Sequence, residues 1–152
     1  MDEASQISHW RFPGWRSIVL ASAVGLVTPF LALLTNRLIR VGHLPPEPSR
    51  GFLLFALAVL PLFVFFEEWL FRGQLLRGLA GYIPNTAALV ISSALFAAVH
   101  CSLSGLPGRF VAGIVLGTLY LRTRSLWPPM ATHLIHNLVL FGTIFLDVKW
   151  DI

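Results

Sequence analysis

Glu67, Glu68 and Arg72, then His100, then His133 and Asn137, are ionisable or amide side chains set in stretches that are otherwise nonpolar. A charged group in the hydrocarbon region of a bilayer is costly, so each is expected to face a cavity or a partner. The two acids are not equivalent. Glu68 and Arg72 stand at i,i+4 with the acid first, the favourable order for a helix ion pair. Glu67 has Phe71 at that spacing, with Trp69 and Leu70 nearby, so local sequence offers it no cation. It is expected to be an unpaired acid facing water, where a carboxylate can serve as a general base. The bland alternative puts both acids in the headgroup layer as solvated helix-end charges. His100 closes the run Phe96-Ala97-Ala98-Val99-His100, and Phe96, one turn earlier on the same face, can stack on the imidazole and set its rotamer. His133 and Asn137 project an imidazole and an amide towards one spot; interhelical hydrogen bonding is the bland reading of that pair. His136 lies about 60° from His133 around the helix, so geometry does not exclude it. Together these residues supply a base for water, a partner to orient it and donors for an oxyanion. That is the inventory for hydrolysing a carbonyl compound.

The elements that must carry them are membrane helices. Of 152 residues, 56% are apolar and only 12% charged, with 12 Phe and 5 Trp and a mean hydropathy of +0.75. Soluble domains are about a quarter charged, and a soluble fold of this length still exposes about a third of its unfolded surface. Disorder, nucleic-acid binding and a disulfide scaffold are excluded by the same numbers. The single cysteine, Cys101, can form no internal bridge. The net charge of +4 comes from bases at segment ends, where they orient helices against headgroups.

Charge-free runs locate five spans: Ser17–Asn36, Gly51–Phe66, Gly78–Gly108, Phe110–Leu121 and Ser125–Leu146. A spanning helix needs about 20 apolar residues. The first and last runs suffice. The third holds one helix, from Pro84 to Ser104, between turns marked by Gly81 and by Gly105, Pro107 and Gly108. The fourth is lengthened by Arg109 and Arg122, whose stems let their charges reach the interface. The second continues helically through Leu70, Phe71, Leu75 and Leu76 to about Leu79, which carries Glu67, Glu68 and Arg72 into the membrane. A polar segment, residues 1–14, precedes one domain over residues 15–148. The first span reads as an uncleaved anchor, since its apolar run continues past the Ala21-Ser22-Ala23 triplet, and Leu44-Pro45-Pro46-Glu47-Pro48 as a stiff linker. Gly113-x-x-x-Gly117 is a small-residue face for close packing inside the bundle, and Pro29 and Pro61 are candidate kinks. Ser102 and Ser104 lack the flanking pattern of a serine nucleophile. Basic residues divide six to five between the two sides, a slight lean towards an internal N-terminus.

Glu67-Glu68-x-x-x-Arg72-Gly73, then Phe96-x-x-x-His100, then His133-x-x-x-Asn137, with Gly113, Gly117 and the stretch Leu121-Arg122-Thr123-Arg124-Ser125-Leu126, resembles the CPBP family, the CAAX-protease and bacteriocin-processing intramembrane proteases. The resemblance runs over residues 62–141. It implies an all-α polytopic bundle and an intramembrane endopeptidase in which Glu67 and His100 activate water. His133 and Asn137 would hold the oxyanion, and Glu68, Arg72 and Phe96 would give support. It further implies a membrane-anchored protein or peptide as substrate, with an accessory membrane protein as a candidate partner and no nucleic acid. Its setting would be the bacterial cytoplasmic membrane.

Metal-free catalysis is the expectation, because a metal taking Glu67 would leave no obvious base. The alternative is zinc on Glu67, His100 and His133, a three-ligand set with an open fourth position. Two rival functions remain: a non-catalytic scaffold or immunity factor of the same family, and a proton-coupled carrier, against which stands the lack of repeats and broken helices. Depth poses a geometric problem. By helix rise, Glu67 lies about 18 Å from Leu79, His100 about 24 Å from Pro84, and His133 about 10 Å from Leu126. Tilt, or a third helix beginning above the membrane, is expected to level them.

Overall fold

A computed structural model of the chain describes residues 14–17, 19–25, 27, 50–100 and 105–145. Their regular structure is entirely helical, as the all-α expectation requires. Residues 1–13, the 44–48 linker, Pro29, Cys101, Ser102 and Ser104 lie outside the described residues, as does most of the second half of the first expected span.

The second expected span is one continuous rod. It comprises α1 (Arg50–Glu68), a π-helical stretch (Trp69–Leu76) and α2 (Arg77–Ala80). Glu68 and Arg77, which flank the π stretch, keep ordinary right-handed helical dihedrals, so the winding widens without a break. Apolar periodicity foresaw the rod and its end but not the π winding. Tertiary contacts meet the backbone here: Ser92 Oγ donates to the Phe71 carbonyl over 3.0 Å. π turns inside α-helices are rare and occur frequently at functional sites. Pro61 lies within α1, where it offers no N–H to the ladder.

The third helix is shorter than expected. α3 spans Asn85–Ala98, and Pro84, extended at ψ 141°, starts it. α4 spans Leu106–Thr123 and ends where Arg124 adopts a left-handed conformation, φ 53°, its N–H bonding the Tyr120 carbonyl. α5 spans Trp127–Phe145. The N-terminal helical residues pack on α5, with Thr132 Oγ1 donating to the Ala21 carbonyl at 2.8 Å.

Among the described residues, one helix, the 27-residue stretch Leu54–Ala80, is long and apolar enough to cross a membrane, where five spans were expected. α3 has only 14 residues, about 21 Å of helix against a core about 30 Å thick. α4 dilutes its hydropathy with Arg109 and Arg122, and α5 with His133, His136 and Asn137. Leu54, Phe55, Leu62, Phe63 and Phe66 are all more than half exposed. An apolar surface of that kind suits a lipid surround better than water.

Small residues set the packing of α3 on α4. A Cβ at Gly113 would lie 2.9 Å from Ser93 Cβ and 3.0 Å from Ser93 Cα, and one at Gly117 would collide with Leu89. The Gly113-x-x-x-Gly117 face therefore works within the bundle, as expected.

The turn from α4 to α5 sets the level of His133 relative to Glu67. Leu126 is fully buried in a cluster with Leu76, Ala88 and Tyr120. It also lies against Gly73, where an added Cβ would be 3.5 Å from Leu126 Cδ1. The turn is thus plugged into the bundle at the level of the π stretch. Six residues separate Gly73 from Glu67 and seven separate Leu126 from His133, each about 10 Å of helix. α5 begins already inside, and His133 arrives level with Glu67.

Candidate active site

Glu67 and Glu68 are consecutive on α1 and face different surroundings. The Glu68 side chain is fully buried. Its Oε1 accepts from Arg72 Nη1 at 3.0 Å and lies 2.7 Å from His133 Nδ1. Arg72, 1% exposed, reaches on to the Gly113 carbonyl at 3.4 Å, and its guanidinium lies 4.5 Å from the Phe96 ring centroid. The expected helix ion pair is present, but it is also a tie between four elements.

Glu67 is a quarter exposed and presents one carboxylate oxygen to each of two imidazoles. Its Oε1 lies 3.7 Å from His100 Nε2, and its Oε2 lies 3.6 Å from His133 Nε2. Both separations exceed a hydrogen bond, and a water about 2.8 Å from each atom can bridge either gap.

The far side of each imidazole is tied. His100 Nδ1 is 2.8 Å from the Phe96 carbonyl. A carbonyl only accepts, so Nδ1 carries a proton and Nε2 is turned towards Glu67. This bond also satisfies a carbonyl at the end of α3 that the helix itself leaves open. His133 Nδ1 is held by Glu68, a carboxylate orienting an imidazole from behind. Phe96 packs edge-on against both rings, with centroids 5.1 Å from His100 and 5.7 Å from His133. The expected Phe96–His100 contact is there, but the backbone carbonyl of Phe96 fixes the ring as well.

These groups open on one cavity of about 620 Å³, whose lining includes Glu67, Phe96, His100, His133 and Asn137. The proposition that residues on three helices share one hollow thus holds for Glu67, His100, His133 and Asn137. The rest of the wall is mostly apolar, running from Phe55 to Val64 on α1 and to Leu140 and Phe141 on α5.

One lining residue departs from expectation, and a second is one that helix geometry did not exclude. Arg109 was expected to snorkel to the interface; instead it lines the cavity, with its Nη1 buried and without a hydrogen-bond partner. Its guanidinium is folded against Gly105, where an added Cβ would collide with it. The physical reason is that α4 starts three residues earlier than Arg109, so its side chain leaves from within the bundle. His136 also lines the cavity with a buried, unpartnered Nδ1. Its angular proximity to His133 was the available signal; for Arg109, nothing in the local sequence distinguished it from an interface arginine.

Among the described residues, no group of three His, Cys, Asp or Glu is arranged to hold a metal ion. The Nε2 atoms of His100 and His133 face the two oxygens of Glu67 one to one across gaps of 3.6 to 3.7 Å.

Comparison with known proteins bears on this geometry. A family model described as type II CAAX prenyl endopeptidase Rce1-like matches residues 49–139, which includes every polar residue of the site. The membrane-embedded CAAX protease MroQ of Staphylococcus aureus is 27% identical over 105 residues, 60% of this chain and 42% of that protein. The chain therefore aligns with less than half the length of that relative. No solved structure matches.

Proposed function

The chain belongs to the Rce1-like type II CAAX prenyl endopeptidase family of membrane proteins, and from that premise we propose that it is an intramembrane endopeptidase. It would cut a peptide bond near the C-terminus or membrane anchor of a membrane-associated protein. One observation carries this reading: each oxygen of a single cavity-facing carboxylate, Glu67, is opposed by an imidazole Nε2 at 3.6 to 3.7 Å.

The chemistry follows from that geometry. A water between Glu67 and His100 gives a proton to the carboxylate while the Nε2 lone pair of His100 orients it. Its oxygen attacks the peptide carbonyl carbon, forming the new C–O bond as the carbonyl π electrons move to oxygen. His133, doubly protonated, donates to Glu68 through Nδ1 and to the oxyanion through Nε2, with the Asn137 amide as second donor. Collapse restores the carbonyl and breaks the C–N bond, and the proton held by Glu67 passes to the leaving amine by way of His100. Glu68 and Arg72 hold His133 and Phe96 in register and touch no reacting atom. The mostly apolar cavity wall fits an apolar peptide or lipidated segment.

Turnover of a prenylated CAAX peptide by the full chain in nanodiscs tests the assignment. Glu67→Gln and His100→Ala are expected to abolish cleavage while the protein stays folded and monodisperse. Unchanged turnover in Glu67→Gln would refute the role of that carboxylate.

A further inference from the structure

The cavity holds a second polar feature that the hydrolytic step leaves unused. Arg109 is the one Arg or Lys among the described residues that line it. Its Nη1 is buried without a hydrogen-bond partner, and it lies within electrostatic range of Glu67. The contrast with Arg72 is sharp, since that guanidinium is held by a carboxylate, a carbonyl and an aromatic face. A buried charged donor left unmatched is destabilising and calls for an explanation.

Position supplies one. Arg109 and Gly113 stand one turn apart on the same face of α4. Arg72, bonded to the Gly113 carbonyl, marks the level of the locked layer. One turn beyond it, Arg109 comes alongside the level of Glu67. Its guanidinium rests against Gly105, and only a residue without a Cβ leaves it that space. A cation has thus been given room in the wall of a substrate cavity, with hydrogen-bonding capacity to spare.

We propose that Arg109 is the specificity residue for a carboxylate on the bound peptide. This rests on the reading that the cavity takes a peptide. The planar guanidinium matches a carboxylate with two parallel N–H donors, which a point charge does not. The carboxylate comes either from the peptide's own C-terminus or from an Asp or Glu side chain beside the cut bond.

The test reads binding, not turnover. The full chain carrying Glu67→Gln, in nanodiscs, is equilibrated with a mixed library of apolar hexapeptides in three matched forms. One ends in a free carboxylate, one in a carboxamide, and one in a carboxamide with a single Leu→Glu change; retained peptides are quantified by mass spectrometry. Retention of one acidic form about tenfold over the plain carboxamide is expected, and which form is retained identifies the source of the carboxylate. Arg109→Gln is expected to bring the ratio to one, and Arg109→Lys to an intermediate value. Gly105→Ala keeps the arginine in the chain but displaces its guanidinium, so it too should level the ratio, and it decides the matter if Arg109→Gln does not fold. Equal retention of all three forms, including no retention of any, overturns the proposal, as does a preference that survives Arg109→Gln. Undiminished hydrolysis by the Glu67→Gln protein would count against the base assignment and leave the carboxylate preference standing.

Discussion

Two acids one residue apart on α1 occupy opposite kinds of environment. Around Glu68 the bundle is locked: its Oε1 joins a guanidinium and an imidazole, the guanidinium reaches on to a carbonyl, the Oε2 is buried without a partner, and no side chain there is more than 7% exposed. Around Glu67 it is open: the carboxylate is a quarter exposed, its nearest polar atoms stand 3.6 to 3.7 Å off, and a cavity lies in front. His133 joins the two regions, tied at Nδ1 to the locked side and free at Nε2 on the open side. The difference teaches how reactivity is held in place. A fully buried side chain held by short hydrogen bonds is out of a substrate's reach, yet its rigidity aims the neighbour that is not.

Substitutions can break that comparison, beginning where the effect should be largest. Glu67→Gln removes the base and nothing structural, so kcat is expected to fall by about 10²- to 10⁴-fold with the unfolding midpoint in detergent unchanged. Glu68→Gln or Arg72→Gln leaves one buried charge uncompensated, a loss of about 3–5 kcal/mol that should appear as a lower unfolding midpoint and folded yield. Equal loss of folded yield in Glu67→Gln and Glu68→Gln would erase the distinction and favour a purely structural polar set. Gly113→Ala drives a methyl into Ser93 and should cost about 1–3 kcal/mol, with activity falling further than stability because Gly113 also seats Arg72. The smallest expected effect sharpens the chemistry: dialysis against a chelator should leave turnover unchanged. Loss of activity restored by zinc would return Glu67, His100 and His133 to the role of ligands.

Much of the site was legible because its signals are local. The i,i+4 spacing of Glu68 and Arg72, and of Phe96 and His100, follows from helix period alone, and both contacts are present. That an unpaired Glu67 should face a hollow followed from the cost of charge in an apolar medium. What was not legible depends on partners distant in sequence. Glu68 binds His133, 65 positions away; Ser92 meets the π stretch through Phe71; and Arg109 turned inward where a charge count sent it to the interface. The turn at Leu126, buried beside Gly73, depends likewise on a partner far off in sequence.

Composition and periodicity by themselves determined an all-helical chain made for lipid and named the side chains that could not rest there unpaired, because burial penalties and helical phase depend on residue type and spacing alone. Which nitrogen of each histidine is tied, where α5 begins relative to Glu67, and that one arginine remains unmatched in the cavity wall were decided only by the tertiary structure. Those outcomes are set by how separate helices meet in space, and no local pattern encodes the depth or direction of that meeting.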